Sequence, residues 1–189
     1  MLPDILLREG KSWLQYHFGA DAFDFLLQSR CSVIPVAVNV PDMDSILTEA
    51  LLPGLELAFA NASCPIKGLL FTNPNNPLGQ CYPTSVLEGC IQFCQRHKIH
   101  FVSDEIYATT SYKCPDLQNP TPFVSALSLN LAALGCDPSR VHAFWSTSKD
   151  FGQSGVRMVG TLTIGSCPTS PTQEITLDRA VPLHRQTKN

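Results

Sequence analysis

A lysine surrounded by small hydroxyl residues is the feature of this sequence with the clearest chemical potential. Lys149 lies in the run Ser146-Thr-Ser-Lys-Asp-Phe-Gly152, directly after an apolar segment. A lysine forms a Schiff base when its surroundings lower the pKa of its amine and a carbonyl compound is held nearby. Hydroxyls before it can line a tight pocket and donate hydrogen bonds. Taken alone, however, a lysine after a strand is usually a solvated surface group.

Other polar residues would complement a carbonyl compound that carries a phosphate and a pyridine ring. Arg157 lies in Gly-Val-Arg-Met-Val-Gly, and a guanidinium can bind a phosphate with two parallel hydrogen bonds. Asp104 ends an apolar segment, where an ionised carboxylate needs a charged partner such as a protonated pyridine nitrogen. Tyr107 and Asn76 could bond the phenolic oxygen of the same ring. These requirements are those of pyridoxal 5′-phosphate.

Each of these residues also has an ordinary explanation. An Asp-Glu pair is usually a helix cap, an Asn-Pro repeat is usually a turn, and a lone arginine usually forms a surface ion pair. Taken together and in this order, the residues favour the cofactor, because unrelated surface residues have no reason to meet the requirements of one molecule.

Strands and helices alternate along the chain, which predicts an α/β fold with a mostly parallel sheet. In such sheets ligands lie beyond the carboxyl ends of the strands, so we expect Asn76, Asp104 and Lys149 to share one crevice. The predicted strands are Ser32–Val38, with Pro35 indicating an edge or an irregular position, Ile66–Thr72, Ile99–Ser103, Val141–Trp145 and Thr161–Ile164. The predicted helices are Asp42–Ala60, interrupted or kinked at Pro53, Pro83–Lys98 and Pro122–Leu134, which ends at Gly135.

Composition limits the remaining possibilities. The chain has 189 residues, 44% of them hydrophobic, and a formal net charge of −3, which favours one globular domain and argues against nucleic-acid or membrane partners. Eight cysteines occur without a C-x-x-C pair, so we predict no metal site. The irregular spacing of the cysteines and the lack of a signal-peptide pattern predict an intracellular protein with reduced thiols and a cytoplasmic location. Residues 1–165 are predicted to form the folded core, and residues 166–189 a polar, loosely ordered tail.

The motifs together resemble the aminotransferases of class I and II, and within them the 1-aminocyclopropane-1-carboxylate synthase-like branch. The resemblance rests on Asn73-Pro-Asn-Asn-Pro-Leu-Gly79, Ser103-Asp-Glu-Ile-Tyr107 and Ser146–Gly152 followed by Gly155-Val-Arg157. It extends from about Phe23 to Gly160.

The resemblance implies a role for each residue. Lys149 would form the internal aldimine and move the α-proton of the substrate. Asp104 would pair with the pyridinium nitrogen, and Tyr107 and Asn76 would bond the phenolic oxygen. The phosphate would be held by Ser146, Ser148 and Arg157.

The resemblance also implies a fold and a function. The fold would be the three-layer αβα large domain of the aspartate aminotransferase-like transferases, with a seven-stranded, mostly parallel sheet. Against complete members the chain would be truncated at both ends, with the small domain largely missing. The function would be transfer chemistry on an α-amino acid, with an α-keto acid as a candidate second substrate. A complete chain would form a homodimer. Alternatives are a 1-aminocyclopropane-1-carboxylate synthase-like or carbon–sulfur lyase reaction, or a catalytically inactive fragment.

Overall fold

The computed structural model describes residues 12–16, 32–35, 47–116, 119–156, 159–164 and 175–178. Arg157, the first residues of the helix predicted from Asp42, and most of the predicted tail lie outside these ranges. No helix in the described ranges is long and apolar enough to span a membrane.

The described strands form one seven-stranded sheet in the order β2-β1-β3-β4-β5-β6-β7. Strands β1 to β5 pair in parallel, and β6 is antiparallel to both of its neighbours. The prediction of a mostly parallel sheet is therefore confirmed. The strands are β1 (Ser12–Tyr16), β2 (Ser32–Pro35), β3 (Ile66–Thr72), β4 (His100–Asp104), β5 (Val141–Ser146), β6 (Val159–Ile164) and β7 (Ile175–Asp178).

Two strands differ from the sequence predictions in informative ways. Strand β1 was not predicted, and it lies between β2 and β3. Its sequence, Ser-Trp-Leu-Gln-Tyr, is too short to show a period, so its pairing depends on its neighbours. Strand β7 lies within the tail that was predicted to be loosely ordered, and it pairs with β6. The boundary at residue 165 stays a prediction.

Two prolines lie where the lack of a backbone N–H donor is tolerated. Pro35 ends β2, which is the outermost strand on its side of the described sheet, as the sequence indicated. Pro53 lies in the first turn of α1 (Leu51–Ala60), where the backbone N–H groups have no partner within the helix. The ring of Pro53 would clash with the carbonyl of Glu49 in a helix. The predicted helix is therefore wrong over residues 47–50, and α1 begins at Leu51.

Helix α2 (Thr84–Arg96) matches its prediction closely. Its buried side chains recur at helical spacing, and they join α1 and β3 in the main hydrophobic cluster. Gly89 lets the two helices come close, since a Cβ there would lie 2.8 Å from Cδ1 of Leu52. The buried residues of α2 are Val86, Leu87, Cys90, Ile91, Phe93 and Cys94.

The helix predicted over Pro122–Leu134 is wrong. Only a 3₁₀ turn forms there, at Ala126–Ser128, and turns continue to Gly135, whose positive φ of 66° suits glycine. The backbone of this segment is engaged elsewhere: Ala126 N–H donates to Glu105 at 2.9 Å, and Val124 C=O accepts from Asn73 at 3.3 Å. Long-range partners therefore replace the helical hydrogen bonds.

Two histidines lie near the starts of β4 and β5, at the edge opposite the carboxyl ends of these strands. His100 Nδ1 lies 2.9 Å from His142 Nε2, and His142 Nδ1 lies 2.8 Å from Thr163 Oγ1 on β6. Burial, and then the neighbouring His100, lower the pKa of His142 from its usual 6.5 to about 4. Burial also lowers the pKa of His100, with help from Arg140 and Lys67.

We expect His142 to make the protein sensitive to acid. Below pH 6.5 the unfolded chain takes up a proton that the folded chain excludes, so stability falls as the pH drops from 6.5 to about 4. His142→Gln should reduce this loss by about 3 kcal/mol. Urea unfolding at a series of pH values measures it, and an unchanged pH dependence in the variant would contradict the assignment.

Candidate functional site

The carboxyl ends of three adjacent parallel strands bring the predicted site segments together. The register aligns Thr72 of β3 with Asp104 of β4, and Asp104 with Phe144 of β5. Backbone bonds continue just beyond the strands: Asn73 N–H donates to Asp104 C=O at 3.0 Å, and Glu105 N–H donates to Phe144 C=O at 2.9 Å. The three polar segments that follow these strands therefore begin at one edge of the sheet.

Ser146 starts the short helix that carries the lysine. Helix α3 (Thr147–Asp150) begins directly after β5, and Ser146 is its N-cap. The buried hydroxyl of Ser146 accepts from Ser148 N–H at 3.1 Å and donates to Ser148 Oγ at 2.8 Å. Ser146 and Ser148 were both predicted to bind a phosphate, and the structure places their hydroxyls in contact. Their role toward a phosphate stays a prediction.

Lys149 projects from α3 toward the turn that follows β4. Its Nζ lies 5.7 Å from the centre of the Tyr107 ring, which is within cation–π range. Lys149 is exposed, and within the described part of the chain its ammonium group makes no hydrogen bond or ion pair. The structure thus brings together Lys149 and Tyr107, which are far apart in sequence.

The turn after β4 has a defined backbone that fixes Asp104 and Tyr107. Ile106 N–H donates to Asp104 Oδ1 at 3.3 Å, and Ala108 N–H donates to Glu105 C=O at 2.9 Å. Asp104 and Tyr107 are both half-buried. Asp104 therefore accepts a local hydrogen bond within the turn and caps no helix in the described residues, and it lies at the strand end where a ligand was expected.

The loop after β3 contains asparagines in two different situations. Asn73 is fully buried, donates to Val124 C=O at 3.3 Å and accepts from Tyr82 N–H at 3.1 Å. Asn75 donates to the Tyr82 hydroxyl at 2.8 Å. By contrast, the half-buried side chain of Asn76 makes no hydrogen bond to any described residue. Asn73 and Asn75 hold the loop, and the role of Asn76 toward a ligand stays a prediction.

Sequence reasoning missed Glu105. Its carboxylate is buried and accepts from Ser125 Oγ at 2.7 Å and from Ala126 N–H at 2.9 Å. Burial raises the pKa of this carboxyl, and contacts with Ser125, with the backbone of Ala126 and with Ser103 oppose the rise. The signal in the sequence was an acidic residue one position past a buried strand, which we had interpreted only as part of a cap. Its partners lie 20 and 21 residues away, beyond the reach of local patterns.

Arg157 lies outside the described residues. Its predicted contact with a phosphate is therefore not placed by the structure and stays a prediction. The other predicted site residues all lie in described segments at the carboxyl edge of β3, β4 and β5.

Residues 26–181 match the family model described as aminotransferase class I and II. The chain belongs to this family. Members of the family depend on pyridoxal phosphate, so the predicted cofactor and the predicted transferase class are confirmed at the level of the family. The matched range begins close to the Phe23 limit that the motifs indicated, and it continues beyond Gly160.

Two relatives illustrate the sequence likeness. The chain is 52% identical over 138 residues to the "Probable aminotransferase aclI" of Aspergillus oryzae, covering 73% of this chain and 33% of that protein. It is 39% identical over 168 residues to the 1-aminocyclopropane-1-carboxylate synthase-like protein 1 of Bos taurus, covering 85% of this chain and 32% of that protein. The chain thus spans about a third of the length of each relative.

Solved structures support the fold. The chain superimposes on a tetra mutant of Thermus thermophilus aspartate aminotransferase with a TM-score of 0.62 and 21% identity, covering 84% of this chain and 38% of that chain. At this identity the likeness concerns the fold alone, and it confirms the predicted aspartate aminotransferase-like architecture.

The chemistry of the site fits the family's cofactor. A pyridine ring, a phenolic oxygen and an aldehyde carbon require a carboxylate, hydrogen-bond donors and an amine. Asp104 supplies the carboxylate, and the amide of Asn76, the hydroxyl of Tyr107 and the amine of Lys149 are not bonded to other described residues. The groups available for bonding thus match the ones that the cofactor needs.

Asn73 and Asn76 should respond differently when their side chains are truncated to alanine. Asn73→Ala removes the acceptor of the buried Tyr82 N–H and the donor to the half-buried Val124 C=O, so we expect a loss of about 1–3 kcal/mol in the free energy of unfolding. Asn76→Ala is the matched control and should change stability by less than about 0.5 kcal/mol. Urea denaturation distinguishes them, and equal losses would show that the two side chains do not differ as described.

Proposed function

We propose that this chain carries the lysine-bearing part of a pyridoxal phosphate-dependent transferase that acts on an α-amino acid. The observation that carries the proposal is the position of Lys149. Its amine lies 5.7 Å from the centre of the ring of Tyr107, and Tyr107 follows Asp104 by three residues. When bound, the cofactor supplies an electron sink that makes the α-proton of an amino acid removable.

Each side chain has a task in this proposal. Lys149 would hold the cofactor and afterwards move the α-proton as base and acid, since its amine can reach a ligand over Tyr107. Asp104 would keep the ring nitrogen protonated. Tyr107 and Asn76 would donate hydrogen bonds to the phenolic oxygen. Ser146, Ser148 and Arg157 would hold the phosphate, with Ser146 and Ser148 positioned at the start of α3.

Two reaction outcomes are candidates. Transamination with an α-keto acid acceptor is the main proposal, and the similarity to an aminotransferase from Aspergillus oryzae supports it. The likeness to a 1-aminocyclopropane-1-carboxylate synthase-like protein supports elimination to a cyclopropane amino acid as the second candidate. Both outcomes begin with removal of the α-proton, so the described residues serve either one.

Assembly and location complete the proposal. We expect a homodimer, because members of this family usually pair with active sites at the subunit interface. A cytoplasmic location is also part of the proposal, and the lack of disulfide bonds among the described cysteines is compatible with it.

Lys149 should be the attachment point of the cofactor. Purified chain mixed with pyridoxal phosphate should develop a yellow absorption band, and borohydride reduction should fix the cofactor onto the peptide that contains Lys149. Lys149→Ala should abolish the reducible adduct, because no other amine is expected in the site. Lys113→Ala, at an exposed loop position, is the matched control and should retain it. A stable adduct in Lys149→Ala, or attachment at another lysine, would refute the assignment.

Asp104 should matter more for reactivity than for cofactor capture. Asp104→Asn keeps the shape of the side chain but removes the charge that retains the pyridinium proton. We expect the exchange of the α-proton of an amino acid in deuterated water to slow by about 10–100-fold, with partial retention of cofactor binding. Mass spectrometry of the recovered amino acid measures the exchange. An exchange rate equal to that of the parent would remove Asp104 from the proposed mechanism.

A further inference from the structure

Glu105 is bonded in four directions, and it lies between the predicted cofactor residues Asp104, at the end of β4, and Tyr107, in the turn that follows. Its backbone N–H donates to Phe144 C=O at 2.9 Å, and its C=O accepts from Ala108 N–H at 2.9 Å. Its carboxylate accepts from Ser125 Oγ at 2.7 Å and from Ala126 N–H at 2.9 Å. Both backbone groups and both carboxylate oxygens of this residue are therefore in use.

These bonds connect separate parts of the fold at the site edge. The bond to Phe144 ties the end of β4 to β5, which leads into the lysine helix α3. The bond from Ala108 closes the turn that carries Tyr107. The carboxylate reaches the segment Val124–Ala126, which Asn73 also holds through Val124 C=O at 3.3 Å. Glu105 and Asn73, which follow two neighbouring strands, thus both form hydrogen bonds with the segment Val124–Ala126.

The burial of Glu105 makes the loss of its carboxylate costly. Its side chain is 6% exposed, so it exchanges water for protein partners almost completely. Removing the carboxylate would leave the Ala126 N–H and the Ser125 hydroxyl without their acceptor in a buried place. The turn that carries Asp104 and Tyr107 would lose its side-chain anchor to Ser125 and Ala126, while the backbone bonds to Phe144 and from Ala108 would remain.

We propose that Glu105 is a positioning residue for the cofactor site, which holds Asp104 and Tyr107 in place by anchoring their turn to Ser125 and Ala126. It does not touch the cofactor, and it acts through these two neighbours. This inference rests on the proposed function, because it gives Asp104 and Tyr107 a ligand to contact. Glutamine can replace the carboxylate: its oxygen accepts from Ala126 N–H, and its amide donates to Ser125 Oγ.

The test compares Glu105→Ala, Glu105→Gln and Ser125→Ala with Glu56→Ala as the matched control. Glu56 also accepts two hydrogen bonds, from Arg96 and His97 at 2.8 Å, but these lie at the end of α2, away from the site edge. The first measurement is titration of each chain with pyridoxal phosphate by visible absorbance. The second is the pH midpoint of the absorbance change of the bound cofactor.

We expect Glu105→Ala to weaken cofactor binding by about tenfold or more. We also expect it to raise the pH midpoint by about half a unit, because a displaced Tyr107 stabilises the ionised phenolic oxygen less. Ser125→Ala should shift both quantities in the same direction by less. Glu105→Gln and Glu56→Ala should stay close to the parent. Equal effects of Glu105→Ala and Glu56→Ala on affinity and midpoint would overturn the proposal, since they would indicate general stability only.

Hydrogen exchange of the cofactor-free chains separates this inference from the proposed function. Glu105→Ala should speed amide exchange in residues 105–108 and 126–127, and leave the amides of α2 protected as in the parent. Uniform acceleration, or none, would overturn the positioning role whether or not the cofactor binds. A parent chain that captures no cofactor would contradict the proposed function, and the exchange pattern would still decide the role of Glu105.

Discussion

The parallel pairing of β3, β4 and β5 is the constraint on which the site depends. Because these strands run in the same direction and in register, the segments that follow Thr72, Asp104 and Ser146 leave the sheet at one edge. Two backbone hydrogen bonds just past the strands, from Asn73 to Asp104 and from Glu105 to Phe144, extend this alignment into the loops. A register shift of one residue would turn the side chain of Asp104 to the other face of the sheet, so the chemistry of the site is a consequence of the pairing.

The polar residues at this edge of the sheet form two groups with different structural roles. Asn73, Glu105 and Ser146 are buried and bonded within the protein, and they hold the loops in place. Asn76 and Lys149 make no hydrogen bond to other described residues, and they are the groups proposed to contact a ligand. Buried polar groups are stable only when satisfied, and a ligand site needs groups that are not. The first group supplies the rigidity that makes the second group useful.

The sequence predicted the parts of the structure whose causes are local. The apolar run Ile66–Thr72 and the helical period of Pro83–Lys98 needed no distant partner, and the strand ends then placed Asn76, Asp104 and Lys149 at one edge. The helix over Pro122–Leu134 failed, because Asn73 and Glu105 capture the backbone of Val124–Ala126 from across the fold. Strand β1 and the role of Glu105 were missed for the same reason, since both depend on neighbours far away in sequence.

The most direct test of this account is a crystal structure of the chain with pyridoxal phosphate bound. The account predicts continuous density between Lys149 Nζ and the aldehyde carbon of the cofactor. It also predicts a carboxylate oxygen of Asp104 within hydrogen-bond distance of the ring nitrogen, and the hydroxyl of Tyr107 beside the phenolic oxygen. A cofactor bound at another lysine, or one whose ring nitrogen lies away from Asp104, would contradict the claim that the edge formed by β3, β4 and β5 is the active site.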